Sequence, residues 1–455
     1  MTDLQTVDEL PATAGRWRVY AEGWQSWSPA TCYPAGVPPL LPEEPWQHVM
    51  RYRPGTDLHP TAYQAEGLAV VDPGDGGPVT AYLSADLRDP ATITVQERGW
   101  HLAVEASGQV ERWTAPTAAA ALVAAGTTIG ERLGARTGQQ PRVWCSWYRY
   151  FEQVTADDVR AALTDIREHD LPTDIVQVDD GWSTGLGDGL RTRPGFGDLE
   201  RVVAEVRQAG LRAGIWLAPF LVGRDTELAR DHPGWLTGDA GRNWGQDLVG
   251  LDLLHPGVQD LLRGHLTALR RLGVDYLKLD FLYAGALPGP GRDRAEAVTA
   301  YRAGLSLVRE VMGQDCTLLA CGAPLLPSVG LVDAMRVSPD TFHEGAADGS
   351  RGLRGLMSTA ARAWTHGRLW TDDPDVVVAR PGFALRERWA AESRRFGGMR
   401  SWSDRWDELD ERGRSLVRGV LSDPPAPRFD EATVAEGLGV AAGEVRARGA
   451  RGDLG

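Results

Sequence analysis

The sequence predicts an α/β fold: a parallel (β/α)8 TIM barrel preceded by a short β-sandwich domain. Three observations carry the prediction. Over about 280 residues from residue 142 onward, eight short apolar segments alternate with amphipathic helical patterns, the rhythm of a parallel barrel. Before residue 133 the apolar segments are short and sit between Gly, Pro and Asp clusters, as in an antiparallel sheet. Polar residues gather at the C-terminal ends of the later segments, where barrels hold their working groups.

The first domain, 1–133, has strand-like runs at 69–71, 79–83 and 92–95, and alternation where Leu102 and Val104 separate His101, Ala103 and Glu105. Residues 134–141 are polar, contain glycine and end in Pro141, so they read as a linker. The barrel spans 142–423, with strands expected at 143–148, 175–179, 213–218, 276–281, 317–321, 334–338, 368–371 and 398–402. Helical patterns fall at 156–169, 199–209, 258–272 and 294–312. A ninth strand-like run, 248–253, reads as an excursion before the helix that starts near Pro256. The tail, 424–455, is rich in Ala, Gly and charge and reads as helical or loose, without chemistry. No GxGxxG turn supports a doubly wound nucleotide-binding sheet.

Composition narrows the function. The 455 residues carry 48 Lys plus Arg against 62 Asp plus Glu, a formal charge of −14. That balance excludes the basic stripe a nucleic-acid partner requires. Residues 1–16 are polar and acidic, with no basic start and no apolar run, so neither a secretory signal nor a membrane span is expected and the cytoplasm is the default address. Cys32, Cys145, Cys316 and Cys321 form no CxxC pair, which disfavours a disulfide framework and a zinc site. Seventeen tryptophans suit the apolar faces of sugar rings as well as a core. Lys278 is the only lysine among the 48 basic residues, and Asn243 the only asparagine. Where arginine has replaced lysine everywhere else, a surviving lysine marks a position that needs a compact ammonium.

The strand-end residues carry the chemistry. In 276–281, Tyr276, Lys278 and Asp280 share the inward face, while Leu277, Leu279 and Phe281 take the face toward the helices. An ammonium and a carboxylate pointing inward together are costly to bury; a structural ion pair is the alternative. In 334–341, Arg336 and Ser338 face inward, Pro339 ends the ladder, and Asp340 lies just beyond, unless it is a cap or turn residue. Asp179 and Asp180 end a third strand and can accept bonds from several hydroxyls; as metal ligands they lack a His or Glu partner at a comparable position. Asp373 and Asp375 add acids, although the Asp-Pro pairs there can simply mark turns. Trp147, Tyr148 and Trp216 place aromatics at two more strand ends, with Gly214 and Ala218 leaving room beside Trp216. Trp24 and Trp27 either line the barrel mouth or bury in the sandwich. Two carboxylates from different strands, with no metal set or phosphate loop, fit glycoside hydrolysis, in which retaining enzymes hold the pair about 5–5.5 Å apart.

Cys145-Ser146-Trp147-Tyr148, Val178-Asp179-Asp180-Gly181-Trp182, Gly214-Ile215-Trp216-Leu217-Ala218-Pro219, Tyr276-Leu277-Lys278-Leu279-Asp280-Phe281, Cys321-Gly322-Ala323-Pro324 and Met335-Arg336-Val337-Ser338-Pro339-Asp340-Thr341 follow one another in a pattern that resembles the α-galactosidases of glycoside hydrolase family 36, within clan D. Trp24-Gln25-Ser26-Trp27-Ser28 is similar to a motif of that family's N-terminal domain. The resemblance implies a retaining α-galactosidase without metal or organic cofactor, acting on α-galactoside oligosaccharides or glycoconjugates. It implies Asp280 as nucleophile and Asp340 as general acid/base. Asp179 and Asp180 would hold the 4- and 6-hydroxyls, and Lys278, Cys321 and Arg336 other hydroxyls of the ring. Trp147, Tyr148 and Trp216 would be walls, with Trp24 or Trp27 capping the mouth. The chain departs from the pattern in its short β domain, and the C-terminal β domain common in relatives is not expected within 424–455. An α-N-acetylgalactosaminidase, a galactosyl transferase of the same clan, a Schiff-base aldolase using Lys278 and an inactive sugar-binding protein are the competing readings. The sequence assigns no oligomeric state.

Overall fold

Eight short parallel strands form the centre of the computed structural model, which describes residues 4–42, 45–138, 140–186, 189–243, 245–341 and 355–451. They are β1 (Arg142–Cys145), β2 (Ile175–Val178), β3 (Arg212–Leu217), β4 (Val274–Leu279), β5 (Thr317–Ala320), β6 (Ala334–Arg336), β7 (Thr371–Asp373) and β8 (Arg400–Trp402). Ladders run in sequence from β1 to β7, and β8 pairs with β1. The last seam, between β7 and β8, is held by the amides of Gly398 and Met399, both donating to the Asp372 carbonyl at 2.9 Å. That approach requires glycine: a Cβ at Gly398 would lie 2.1 Å from the His366 ring.

Alternation along the strands divides the side chains as a filled barrel demands. Val143, Ile175, Tyr276, Leu319, Ala334 and Met399 pack together as one cluster, while Leu277, Leu279, Leu318 and Ala320 join the outer core. The helices around the barrel carry their own stop and start signals. α1 (Ala156–Glu168) and α4 (Arg294–Met312) open on reciprocal capping boxes from Thr155/Asp158 and Asp293/Glu296. α2 (Leu199–Gln208) is capped by Asp198. α3 (Pro256–Leu272) starts on proline, ends on left-handed Gly273, and buries Val258, Leu262, Leu266 and Leu269, one turn apart.

Several boundaries differ from expectation. The first strand stops at Cys145, because Ser146 opens a helical turn over Trp147–Tyr150. The fourth stops at Leu279 rather than 281. The seventh begins at Thr371 rather than 368, since the preceding residues form a tight turn closed by Gly367 N to Trp370 O at 2.9 Å. The ninth strand-like run is Gln246–Leu251, the centre of a three-stranded antiparallel excursion with Leu221–Gly223 and Leu236–Asn243.

Ahead of the barrel stand two antiparallel sheets. One has five strands (Thr31–Pro34, Arg18–Ala21, Leu68–Asp72, Val79–Ser84, Val110–Ala115), the other four (Gln5–Pro11, His101–Ala106, Thr92–Arg98, Ala62–Glu66). The β-rich reading of this region overlooked two helices, Pro45–Arg51 and the alanine-rich Ala118–Leu133, the latter capped by Thr117 and left-handed Gly134. The late segment forms a helix, Glu431–Arg451, that packs on that helix and on Thr31–Pro34; residues 452–455 lie outside the described residues.

His366 joins the seam to this late segment. Its Nδ1 accepts from the Asp372 amide at 3.2 Å and its Nε2 lies 3.3 Å from the Ala426 carbonyl, so only a neutral ring protonated at Nε2 serves both. Burial lowers its pKa from 6.5 to about 4. The unfolded chain therefore binds this proton at pH values where the folded chain does not, and stability is lost as pH falls from 6.5 toward 4, by roughly 3 kcal/mol in full. Urea unfolding of wild type and His366→Gln across this window tests the assignment. The wild-type advantage is expected to shrink as pH falls; a constant difference would refute it.

Candidate active site

A cavity of about 200 Å³ opens at the C-terminal ends of the strands. β4 brings two of its groups. The ladder ends where the Asp280 amide donates to the Leu217 carbonyl at 2.7 Å. One carboxylate oxygen of Asp280 accepts from the Phe281 amide at 2.9 Å, the other from the Trp216 indole at 3.0 Å. Phe281 adopts a left-handed conformation, φ 52° and ψ 31°. Its ring consequently lines the cavity rather than facing the helix layer as strand alternation implied.

The Lys278 ammonium is bonded to Asp179, just past the end of β2, at 2.8 Å, rather than to Asp280 at the end of its own strand. Burial draws the lysine pKa down, but the surrounding carboxylates, Asp179 foremost, outweigh it and hold the pKa well above the ordinary value. An aldolase lysine needs a free amine; this one is kept as a cation. Asp179 also accepts from Gln177 at 2.5 Å and from the Cys145 thiol at 3.3 Å, and its amide donates to Ser146 Oγ at 2.9 Å. The neighbouring Asp180 binds the Gly181 amide at 2.7 Å. Desolvation and the charge of Asp179 push its pKa up to about 7.

The opposite side is organised by Arg336 on β6, which is 1% exposed. It reaches Asp340 at 2.8 Å, Asp373 at 3.2 Å and Asp375 at 2.6 Å. Asp375, held at a left-handed φ of 74°, also accepts from Tyr148 Oη at 2.5 Å and the Thr341 amide at 2.6 Å. The Asp340 side chain is 43% exposed and faces the cavity. Desolvation raises its pKa to about 6; Arg336 opposes the rise, and the charges of Asp375 and Asp280 add to it.

Of the residues singled out from sequence, Trp27, Trp147, Asp179, Asp180, Trp216, Lys278, Asp280 and Asp340 line the cavity together. Tyr148, Cys321 and Arg336 do not line it; all three are buried. Trp24 is turned away into the sandwich core, beneath the Arg53 guanidinium at 4.8 Å. Trp27 instead packs edge-on against Phe281, centroids 5.3 Å apart, and over Gly322, where a Cβ would meet its ring at 3.0 Å. Sequence reasoning missed Met50 and Arg51, at the end of the helix Pro45–Arg51, and Pro339 as lining residues. It noted Asn243 for its rarity alone, and this side chain ends the excursion strand at the cavity mouth. Asp373 and Asp375, read as further acids or else turn markers, are partners of Arg336.

Residues 134–312 match the Melibiase family model. Among curated relatives, the bifunctional α-galactosidase/sucrose kinase AgaSK of Mediterraneibacter gnavus is 28% identical over 167 residues, 33% of this chain and 18% of that protein. α-Galactosidase AgaA of Geobacillus stearothermophilus is 29% identical over 157 residues, 31% of this chain and 21% of that protein. The matched region thus spans about a fifth of these relatives. Among solved structures, the α-galactosidase TtGalA of Thermus thermophilus, in complex with p-nitrophenyl α-D-galactopyranoside, superposes with a TM-score of 0.75 at 29% identity, covering 94% of both chains. Its complex with stachyose gives 0.76 over 92% of this chain and 94% of that one. The AgaA structure, at 15% identity and a TM-score of 0.61 over 91% of this chain and 61% of that one, is alike in fold.

The buried Lys278–Asp179 pair yields a prediction about stability. Removing only the cation in Lys278→Met strands a carboxylate and is expected to cost roughly 3–5 kcal/mol. Adding Asp179→Asn should recover a large part of that loss. Urea unfolding of the four proteins of this cycle measures the coupling, and additive effects would mean the pair is not formed.

Proposed function

As a member of glycoside hydrolase family 36, this chain is, we propose, a retaining α-galactosidase that hydrolyses terminal α-D-galactosyl residues through a glycosyl-aspartate intermediate. The observation that carries this reading is the pairing of Asp280 and Asp340 in one cavity at the barrel's strand ends. The two differ in surroundings: Asp280 accepts a bond on each oxygen, while Asp340 has a pKa raised to about 6.

In the first step, Asp280 attacks the anomeric carbon as Asp340 passes its proton to the glycosidic oxygen. The C–O bond to the leaving alcohol breaks and a galactosyl ester forms on Asp280. In the second step, Asp340, now a carboxylate, takes a proton from water, whose oxygen displaces Asp280 from the sugar. The Trp216 and Phe281 donors favour Asp280 as an anion at the start and as a leaving group at the end. Asp179 and Asp180, with the Lys278 ammonium, are assigned to the sugar hydroxyls. We read the substrate as a galactoside rather than its 2-acetamido analogue from the likeness to the structures with p-nitrophenyl α-D-galactopyranoside and stachyose. We place the protein in the cytoplasm. In support, its four cysteines are unpaired, as in reducing compartments, and no helix among the described residues is long and apolar enough to cross a membrane.

The direct test offers the purified protein the nitrophenyl α-galactoside and α-N-acetylgalactosaminide side by side and follows sugar release by NMR. Turnover of the galactoside with α-galactose appearing first is expected; β-galactose first would overturn the retaining assignment. Asp280→Asn should lower kcat by about 10⁴-fold or more with galactose affinity changed only a few-fold, and normal turnover would reassign the nucleophile.

The acid must be protonated on arrival, so kcat/KM should fall as pH rises through about 6. Asp375→Asn removes a charge that raises this pKa and frees Arg336 to act on Asp340, so the basic limb should move to lower pH. A pH–rate profile in which the limb stays put would exclude Asp340 as the titrating acid.

A further inference from the structure

Arg362 lies outside the cavity lining, yet its side chain is 0% exposed and saturated with bonds. Its Nε donates to Glu22 Oε1 at 2.8 Å. Nη1 donates to the carbonyls of Ser26 and Val337, both at 2.9 Å, and Nη2 to those of Gln25 at 3.4 Å and Ser28 at 3.0 Å. One barrel guanidinium thus gathers four acceptors from residues 22–28 of the first domain. Its fifth acceptor follows β6, three residues before Asp340. Glu22 is fixed in turn by Tyr20 Oη at 2.6 Å and the Gly23 amide at 2.9 Å, and Tyr20 Oη accepts from the Trp364 indole at 2.8 Å.

The loop so held has side chains aimed at the cavity wall. Gln25 Oε1 accepts from the Trp27 amide at 2.7 Å, while its Nε2 donates to the Met50 carbonyl and Ser28 Oγ donates to the Arg51 carbonyl. The Ser26 amide reaches the Ala323 carbonyl at 3.2 Å, beside the Gly322 on which the Trp27 ring rests. Trp27, Met50 and Arg51 all line the cavity. From Arg362 the chain of bonds therefore leads to every lining residue that the first domain supplies.

We propose that Arg362 is a positioning residue: by holding the loop 22–28 it sets the place of Trp27, Met50 and Arg51 and so the affinity of the cavity for its substrate. The inference rests on the α-galactosidase reading above. Arginine is required because only a planar fork with five donors can serve a carboxylate and four carbonyls at once; a lysine supplies three donors from one point.

A residue that merely joined two domains would change the folded fraction, which lowers apparent kcat and leaves KM untouched. A positioning residue changes KM. The experiment compares wild type, Arg362→Lys, Trp27→Ala and the double variant on p-nitrophenyl α-galactoside and on stachyose. Arg362→Lys and Trp27→Ala are each expected to raise KM about tenfold with kcat changed less than about threefold, and the double variant should exceed Trp27→Ala alone by well under tenfold, the remainder passing through Met50 and Arg51, as coupled sites behave. If Arg362→Lys does not fold, Glu22→Gln, which keeps shape and loses one charge, decides by the same criterion with a smaller rise of about threefold. An active wild type with unchanged KM in these variants, or effects that multiply in the double variant, would overturn the proposal alone. A wild type silent on both galactosides would overturn the hydrolase reading and this inference with it.

Discussion

The site is governed by an imbalance of buried charge. Two cations, Lys278 and Arg336, face six carboxyls: Asp179, Asp180 and Asp280 on one side, Asp340, Asp373 and Asp375 on the other. Two positive charges cannot neutralise six negative ones where water is scarce, so some of the acids must keep their protons. Asp180 and Asp340 carry the raised values, about 7 and about 6, and Asp373 is raised as well. Burial is the largest cause of each rise and the neighbouring carboxylates add to it, so a carboxyl that is still an acid near neutrality owes this to its surroundings.

The barrel exists to bring these groups to one end. Each charged side chain stands within a few residues of the C-terminal end of a short strand. Tyr276 and its neighbours fill the interior below, so the charges rest on a packed floor. Phe281 and Asp375, two of the four non-glycine residues with positive φ among the described residues, border this group. One has its amide on Asp280, and the other has its carboxylate on Arg336.

Much of this was legible in the sequence because it is written in local patterns. Short apolar runs between amphipathic helices located the barrel strands, the seventh by its first residue alone, and the lone lysine pointed to a position that proved buried and ion-paired. Alternation alone misled where strands end: it sent Phe281 to the helix layer and extended β1 across Trp147 and Tyr148, which lie on a helical turn. The helix Ala118–Leu133 escaped because alanine and glycine on both faces give little contrast between buried and exposed sides. Arg362 and the pair Asp373 and Asp375 were opaque for a different reason. Their meaning lies in partners far away in sequence, such as Glu22, 340 residues from Arg362, and no local pattern records such a pairing.

The excursion sheet that ends in Asn243 and the short helix that ends in Arg51 share one position in the architecture. Both border the cavity without belonging to a barrel strand. The strand ends that carry the charged groups and the rim above them are therefore written in separate stretches of chain. A rim encoded apart in this way can be altered piece by piece without touching the charged groups beneath it.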